Sequence, residues 1–145
     1  MQNYRVIVLF VLTTFISACS TASQYQKKGN VSPEKFNQII DFTTIKTVIL
    51  LPVEVDGVSK SFLFDTGADV SVLQRDSLMG KTTSFSGASN RKMELGKEIV
   101  KSMKIGEIDF QNIFAVNGNL EGLKEQIPKF GGILGQTVIQ SKLAD

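Results

Sequence analysis

The feature that most constrains the fold is a pair of apolar, β-branched runs joined by the dipeptide Asp56-Gly57. The first run reads TVILLPVEV and the second reads VSKSFLF. An Asp-Gly pair tolerates the positive φ angles of a tight two-residue turn, so the two runs predict a β-hairpin. The acidic residue Asp65 then comes directly after the second strand of this hairpin.

Short runs of the same kind continue through the rest of the chain. The predicted strands are TTSF, KMEL, IVKSMKIG, IDF and NIFAV, and the predicted breaks are a Ser-Gly pair, Gly96, Gly106 and Asn117-Gly118. No internal repeat or heptad pattern accompanies them. The body is therefore predicted to be mostly β with one or two short helices.

Helical stretches are predicted at three places, one before the β body and two within it. The first begins at Ser32-Pro33-Glu34, with serine as the cap and proline in the first turn, and apolar residues follow at helical spacing up to Ile40. The other two run from Gln74 to Met79 and from Gln136 to about Lys142. The predicted core residues are Val53, Val55, Phe62, Phe64, Val72, Leu73, Ile105, Ile113, Phe114, Ile133 and Leu134.

Length and charge limit the classes of protein that fit. A chain of 145 residues with 42% hydrophobic content can bury one compact core and is too short for two ordinary domains. Its net charge of +2 comes from 16 basic and 14 acidic residues spread along the chain. This distribution offers no footprint for a nucleic-acid backbone, so a nucleic-acid partner is not expected.

The chain contains no histidine and a single cysteine. Without imidazole there is no Ser-His-Asp or Cys-His nucleophile pair and no histidine zinc ligand, and one cysteine cannot form a thiolate metal site. No metal or cofactor is expected. Acid or base chemistry must come from Asp, Glu, Lys or Tyr.

The N-terminal stretch MQNYRVIVLFVLTTFISACS has the layout of a secretory signal, with one positive charge before an apolar run. That run is shorter than the roughly 20 residues that a membrane-spanning helix needs. The tetrapeptide Ile16-Ser17-Ala18-Cys19 resembles the lipobox of bacterial lipoproteins, in which the signal is removed before the cysteine and the cysteine is lipidated. The alternative is a plain signal peptide with an incidental cysteine.

The lipobox resemblance implies a signal peptide over residues 1–18, a fatty acyl attachment such as palmitate at Cys19, and a polar tether over residues 19–30. It also implies a membrane-anchored location in the bacterial cell envelope, on the periplasmic or outer-membrane face. Ser20, rather than an aspartate, favours the outer membrane. The folded domain is then predicted to span residues 31–145.

The loop Asp65-Thr66-Gly67-Ala68 lies between two apolar segments, an unusual setting for a carboxylate. We expect Gly67 to take a backbone conformation closed to other residues and to allow another backbone to come close. The N–H groups of the turn can also point back at the carboxylate. Asp and Gly are common turn residues, however, so an ordinary solvated bend stays open as the alternative.

Near the other end of the body, Gly132-Ile133-Leu134-Gly135 repeats the apolar-apolar-Gly pattern just before a predicted helix. Together with the Asp65 loop it resembles the retropepsin-like, or retroviral-type, aspartic proteases and their bacterial membrane-associated relatives. The resemblance covers about Val48 to Ile139. It implies a small closed β barrel and an aspartic endopeptidase activity on a polypeptide substrate.

The resemblance also implies roles for individual residues. Asp65 would be the catalytic acid, and Thr66 would contact the matching loop of the second active-site half. Gly67 would donate a hydrogen bond from its backbone, and Ala68 completes the active-site loop. The segment Ile133, Leu134 and Gly135 would thread behind this loop and support it.

Two further assignments concern the substrate. Ser86-Gly87-Ala88-Ser89 falls where the resemblance places the tip of a flap over the substrate, although an ordinary turn explains it equally well. Asp69 is a candidate contact to the substrate backbone, and its alternative is a solvated turn carboxylate.

Only one loop of this kind is present, because none of the other aspartates is followed by Thr-Gly or Ser-Gly. A homodimer would supply the second acid, with two copies of Asp65 sharing a proton. Since Ala68 cannot hydrogen-bond the ionised carboxylate as a serine could, we expect activity from mildly acidic to neutral pH.

Only SKLAD follows Gln140, whereas retropepsins use longer termini to form the dimer. Dimerisation through another surface, such as the segment before Val48, is one explanation, and loss of the active assembly is the other. The rival functions are a non-catalytic protease-like module that binds peptides or a partner protein, and a structural envelope lipoprotein.

Overall fold

The computed structural model describes residues 29–86 and 92–140. The predicted signal peptide, Cys19 and most of the tether lie outside these ranges. Within them the chain forms nine strands and two short helices. In chain order these are β1 (Asn30–Ser32), β2 (Thr43–Ile45), β3 (Val48–Val55), β4 (Val58–Phe64), β5 (Ser71–Gln74), β6 (Thr82–Ser86), β7 (Lys92–Ile105), β8 (Ile108–Gly118), α1 (Glu121–Lys124), β9 (Phe130–Leu134) and α2 (Gln136–Ile139). The prediction of a mostly β fold is confirmed.

All nine strands belong to one sheet, and six of them form a ring of hydrogen-bonded pairs. The ring runs from β8 to β5, β9, β4, β3 and β7 and back to β8. Strand β1 adds to β8, β2 to β3, and β6 to β7. Because β9 pairs in parallel with β4 and antiparallel with β5, it lies between the two strands that flank the Asp65 loop.

The predicted hairpin at Asp56-Gly57 is confirmed. Val55 pairs with Val58 across the turn, and Asp56 and Gly57 both have positive φ angles, of 53° and 78°. This is the geometry that an Asp-Gly pair accommodates at least cost. A second tight turn at Gly106 joins β7 to β8, as predicted.

The sequence predicts breaks within the long strands at places where the structure has none. KMEL and IVKSMKIG form the single strand β7, which runs through Gly96, and IDF and NIFAV form the single strand β8. At Gly96 the glycine is explained by packing, since a Cβ there would collide with the carbonyl oxygen of Met79. The Asn117-Gly118 pair also lies within β8 rather than after it.

Two of the predicted helices are wrong. Residues 33–42 contain no helix, because their contacts are tertiary: Gln38 accepts a hydrogen bond from the N–H of Glu107, and Ile40 packs on the core while Ile39 is 93% exposed. Residues 75–79 are also not helical. There the N–H of Arg75 donates to Gly118 and the N–H of Met79 donates to the side chain of Asn117, so the segment bonds to β8 instead of to itself.

The helix predicted to begin at Gln136 is confirmed and ends at Ile139. Helix α1 was not anticipated from the sequence. No helix among residues 29–86 and 92–140 is long and apolar enough to cross a membrane.

The main core cluster draws residues from all six ring strands and from α2. Among the predicted core residues, eight are buried and three are partly buried and pack against core clusters. The buried ones are Val53, Val55, Phe62, Leu73, Ile105, Ile113, Phe114 and Leu134, and the partly buried ones are Phe64, Val72 and Ile133.

Candidate active site

Main-chain hydrogen bonds hold Asp65 at the end of β4. The preceding residue, Phe64, pairs with Leu134 of β9, and the N–H of Asp65 donates to the carbonyl oxygen of Leu134 at 3.0 Å. The side chain is partly buried, and its Oδ1 accepts the N–H of Gly67 at 2.8 Å. The backbone therefore fixes both the position and the orientation of this carboxylate.

Thr66 and Gly67 form the exposed tip of the loop, and the N–H of Ala68 closes it by donating to the carbonyl oxygen of Asp65 at 3.3 Å. The expectation that a turn N–H points back at the carboxylate is confirmed. The expectation that Gly67 takes a conformation closed to other residues is wrong, since its φ is not in the left-handed region. Glycine instead leaves room, because a Cβ there would lie 3.2 Å from Asp65 Oδ1.

Strand β9 lies directly behind the loop. Ile133 pairs with Leu63 on one side and with Val72 on the other, so the strand joins the chain entering the loop to the chain leaving it. Gly135 follows at a point of close contact. A Cβ on this residue would lie 2.6 Å from the carbonyl oxygen of Ala68 and 2.7 Å from that of Val70.

Gln136 contacts the loop twice and was not among the predicted site residues. Its N–H donates to the carbonyl oxygen of Ala68 at 2.8 Å, and its side-chain Nε2 donates to that of Thr66 at 2.6 Å. The two acceptors stand on either side of Gly67. The only sequence signal was its place as the first residue of the helix after Gly135.

Ser71 and Thr137 form a second support that the sequence did not reveal. Both are fully buried, and the N–H of Ser71 donates to Thr137 Oγ1 at 2.9 Å. A buried polar group needs such a partner, but which serine pairs with which threonine depends on the tertiary fold.

The predicted substrate contacts lie partly outside the described residues. Asp69 is exposed and directly follows the Asp65 loop. The hairpin of β6 and β7 is present, with Ser86 paired to Lys92, but Gly87, Ala88 and Ser89 lie outside the ranges described. The base of this hairpin is linked through β8 to β5, the strand that follows the Asp65 loop, because Asn117 pairs with both Gly96 and Leu73.

The best-buried ion pair among the described residues serves the fold. Arg75 Nη2 donates to Glu98 Oε1 at 2.8 Å and lies 3.4 Å from Asp56 Oδ2. The hydrogen bond to Glu98 raises the pKa of the Arg75 guanidinium above its already high usual value. Glu98 also accepts the side-chain amide of Asn117, at 3.1 Å. These contacts join the hairpin turn and the end of β5 to β7 and β8.

No group of three or more metal-binding side chains occurs in the two described ranges. The chemistry that this loop can supply is that of a carboxylate in a partly buried, hydrogen-bonded setting. Such a group exchanges protons with water or with a bound substrate.

Comparison with known proteins gives the family. A family model described as aspartyl protease, within the retropepsin-like clan, matches residues 51–138, more than half of the chain. This match includes the Asp65 loop, strand β9 and most of α2. The search of curated proteins found no match. On the family match and the loop geometry together, the chain belongs to the aspartyl protease family.

Proposed function

We propose that this protein is an aspartic endopeptidase and that Asp65 is its catalytic carboxylate. Family membership supports a protease-like function. The observation that carries the proposal is the hydrogen bond from the N–H of Gly67 to Asp65 Oδ1, in a loop whose tip is exposed to an incoming partner or substrate. An ordinary solvated turn would not need a strand, a helix and two buried hydroxyl groups behind it.

The reaction requires a second carboxylate, and the sequence contains one Asp-Thr-Gly loop. In the proposed homodimer, two copies of Asp65 lie about 3 Å apart across a twofold axis and share one proton, because like charges at this distance cannot both ionise. Thr66, exposed beside Asp65, contacts the opposite loop. Each six-strand ring then corresponds to the closed β barrel of one retropepsin-like subunit.

The proton movements follow from this arrangement. The ionised Asp65 takes a proton from a bound water, whose oxygen attacks the peptide carbonyl, while the protonated Asp65 donates its proton to the carbonyl oxygen. A tetrahedral intermediate forms. The carboxyl group that took the proton from water then donates it to the departing amine, the C–N bond breaks, and the proton on the intermediate's hydroxyl returns to the other carboxylate.

We also propose that the protein acts at the bacterial envelope, anchored through a lipid at Cys19. Confinement to one membrane raises the effective concentration of the two subunits and would favour a weak dimer. Asp69, Ser86, Gly87 and Ala88 contact the substrate in this proposal.

The test is cleavage of a mixed peptide library by the full chain, purified in detergent. We expect hydrolysis that is blocked by a statine-type transition-state analogue and lost in Asp65→Asn. The matched control is Asp41→Asn, which changes an exposed aspartate outside the loop.

The rival function gives a different result. Peptide binding that persists in Asp65→Asn, with no cleavage by the unmodified chain at any pH, would support a non-catalytic binding module and overturn the proposal.

A further inference from the structure

The hydroxyl groups of Ser71 and Thr137 lie 2.9 Å apart, and neither side chain is exposed to solvent. Ser71 is the first residue of β5, where the chain leaves the Asp65 loop, and Thr137 is the second residue of α2. The pair therefore connects the end of the loop to the helix behind it. Its sequence separation is 66 residues, so it joins distant parts of the chain.

Hydrogen bonds connect this pair to the main chain on both sides. Each hydroxyl oxygen accepts a main-chain N–H: Thr137 Oγ1 accepts that of Ser71 at 2.9 Å, and Ser71 Oγ accepts that of Gly135 at 3.0 Å. The Thr137 hydroxyl donates to Ser71 Oγ, and the Ser71 hydroxyl donates to the Gly135 carbonyl oxygen at 3.5 Å. Each hydroxyl has one proton to donate, and the bond that Thr137 donates is of ordinary length while the one that Ser71 donates is long. Removal of either hydroxyl leaves a buried N–H without its partner.

The pair is coupled to Asp65 through Gln136, which stands between Gly135 and Thr137. The main-chain and side-chain amides of Gln136 hold the carbonyl oxygens of Ala68 and Thr66. These two residues flank Gly67, whose N–H binds the Asp65 carboxylate. A shift of α2 relative to β5 would therefore move both donors and change the orientation of Asp65.

We propose that Thr137 is a positioning residue for Asp65 and that the hydroxyl pair sets the register between α2 and the loop. The inference rests on the proposed peptidase function. A misplacement of about 1 Å in a catalytic group costs on the order of 100-fold in rate, so a small shift of α2 is enough to matter.

The experiment compares Thr137→Val, which keeps the shape and removes the hydroxyl, with Thr137→Ser, which keeps the hydroxyl. Both are measured in the full chain. The first readout is the separate effect on kcat and KM in peptide cleavage. The second is amide hydrogen exchange at Asp65 and Gln136, with the β7–β8 ladder as internal reference.

For Thr137→Val we expect kcat to fall about 10- to 100-fold with KM changed less than about 3-fold, because the substrate contacts remain while the carboxylate is misaligned. Exchange at Asp65 and Gln136 should accelerate while the β7–β8 ladder keeps its protection. Thr137→Ser should restore most of the kcat and most of the protection from exchange at Asp65 and Gln136. If Thr137→Val does not fold, Ser71→Ala removes the other hydroxyl. It is expected to lower kcat in the same way while KM changes little.

Two results would overturn the inference. One is an unchanged kcat with unchanged exchange at Asp65 and Gln136. The other is equal acceleration of exchange in the β7–β8 ladder without rescue by Thr137→Ser, since that pattern reports a general loss of stability. If the unmodified chain cleaves no peptide, the proposed function fails, and the exchange comparison still decides whether Thr137 positions the loop.

Discussion

The N–H of Asp65 donates to the carbonyl oxygen of Leu134 at 3.0 Å, which places the candidate catalytic residue beside the last residue of β9. Phe64 and Leu134 are paired in the same parallel ladder, so the bond continues the sheet by one residue beyond β4. The position of the carboxylate thus depends on a segment close to the other end of the described chain. Changes in that segment should alter the site without touching Asp65.

Gly135→Ala should displace the loop. The new Cβ would lie 2.6 Å from the carbonyl oxygen of Ala68 and 2.7 Å from that of Val70, and backbone on both sides leaves little room for relief. We expect a loss of about 2 kcal/mol in the free energy of unfolding, measured by urea denaturation. The loss of cleavage rate, expressed as a free energy, should be larger.

Gly122→Ala is the matched control for this substitution. It lies in α1, and nothing is found within 4 Å of a Cβ built there. Alanine should leave stability unchanged or raise it by about 0.5 kcal/mol, because it restricts the unfolded chain. Equal stability of the two variants would contradict the account of close packing at Gly135.

Arg75→Ala should destabilise the fold through the ion pair with Glu98. The Glu98 side chain is only 14% exposed, so removing its cation leaves a largely buried carboxylate. We expect a loss of about 2 kcal/mol, since water at the partly open site reduces the full penalty of an unpaired buried charge.

Lys104→Ala provides the comparison for Arg75→Ala. Its pair with Glu54 is 3.9 Å long, with both side chains about half exposed. Exposed pairs of this kind contribute little, so the change should be within about 0.5 kcal/mol. Thermal unfolding of the two variants side by side measures the difference, and a Lys104→Ala effect as large as that of Arg75→Ala would contradict the prediction.

Asp109 should make stability depend on pH in the acidic range. Hydrogen bonds from Gln111 Nε2 at 2.8 Å and Ser102 Oγ at 2.7 Å hold the pKa of its carboxyl below the usual value. Because the folded pKa is below the unfolded one, the stabilisation is fully present above about pH 4 and is lost as the pH falls through the folded pKa.

Urea denaturation from pH 6 down to pH 2.5, compared between the unmodified chain and Asp109→Asn, tests this dependence. About 0.5 M salt screens the exposed pair of Asp76 and Lys124, whose mutual hydrogen bond also lowers the pKa of Asp76. The unmodified chain should lose more stability than the variant on acidification. Parallel curves would show that Asp109 makes no such contribution.

Much of the fold could be predicted from local sequence, because the signals for these elements are short-range. Alternation of apolar residues and turn chemistry predict the Asp56-Gly57 turn, the core residues of β3 and β4, and the start of α2. The predicted helix at residues 32–40 failed because the contacts of Gln38 and Ile40 with distant parts of the chain outweigh local helical spacing. The sequence predicts a strand break at Gly96, because the packing of this glycine against Met79 leaves no local signal.

The same division applies to the candidate site. The loop from Asp65 to Ala68 was visible as a motif, and the segment from Ile133 to Gly135 was visible by family resemblance. Gln136, Ser71 and Thr137 were not, because their importance comes from hydrogen bonds between residues more than 60 positions apart. Polar residues at the ends of strands and helices are common, and only the fold shows which of them are paired.

The central claim is that two copies of Asp65 act together. The most direct test mixes the unmodified chain with Asp65→Asn at constant total concentration, allows the subunits to exchange, and measures peptide cleavage. If both acids are required, mixed dimers are inactive and an equal mixture should retain about a quarter of the full activity. Retention of about half, in proportion to the unmodified chain, would show that each subunit works alone and would contradict the account.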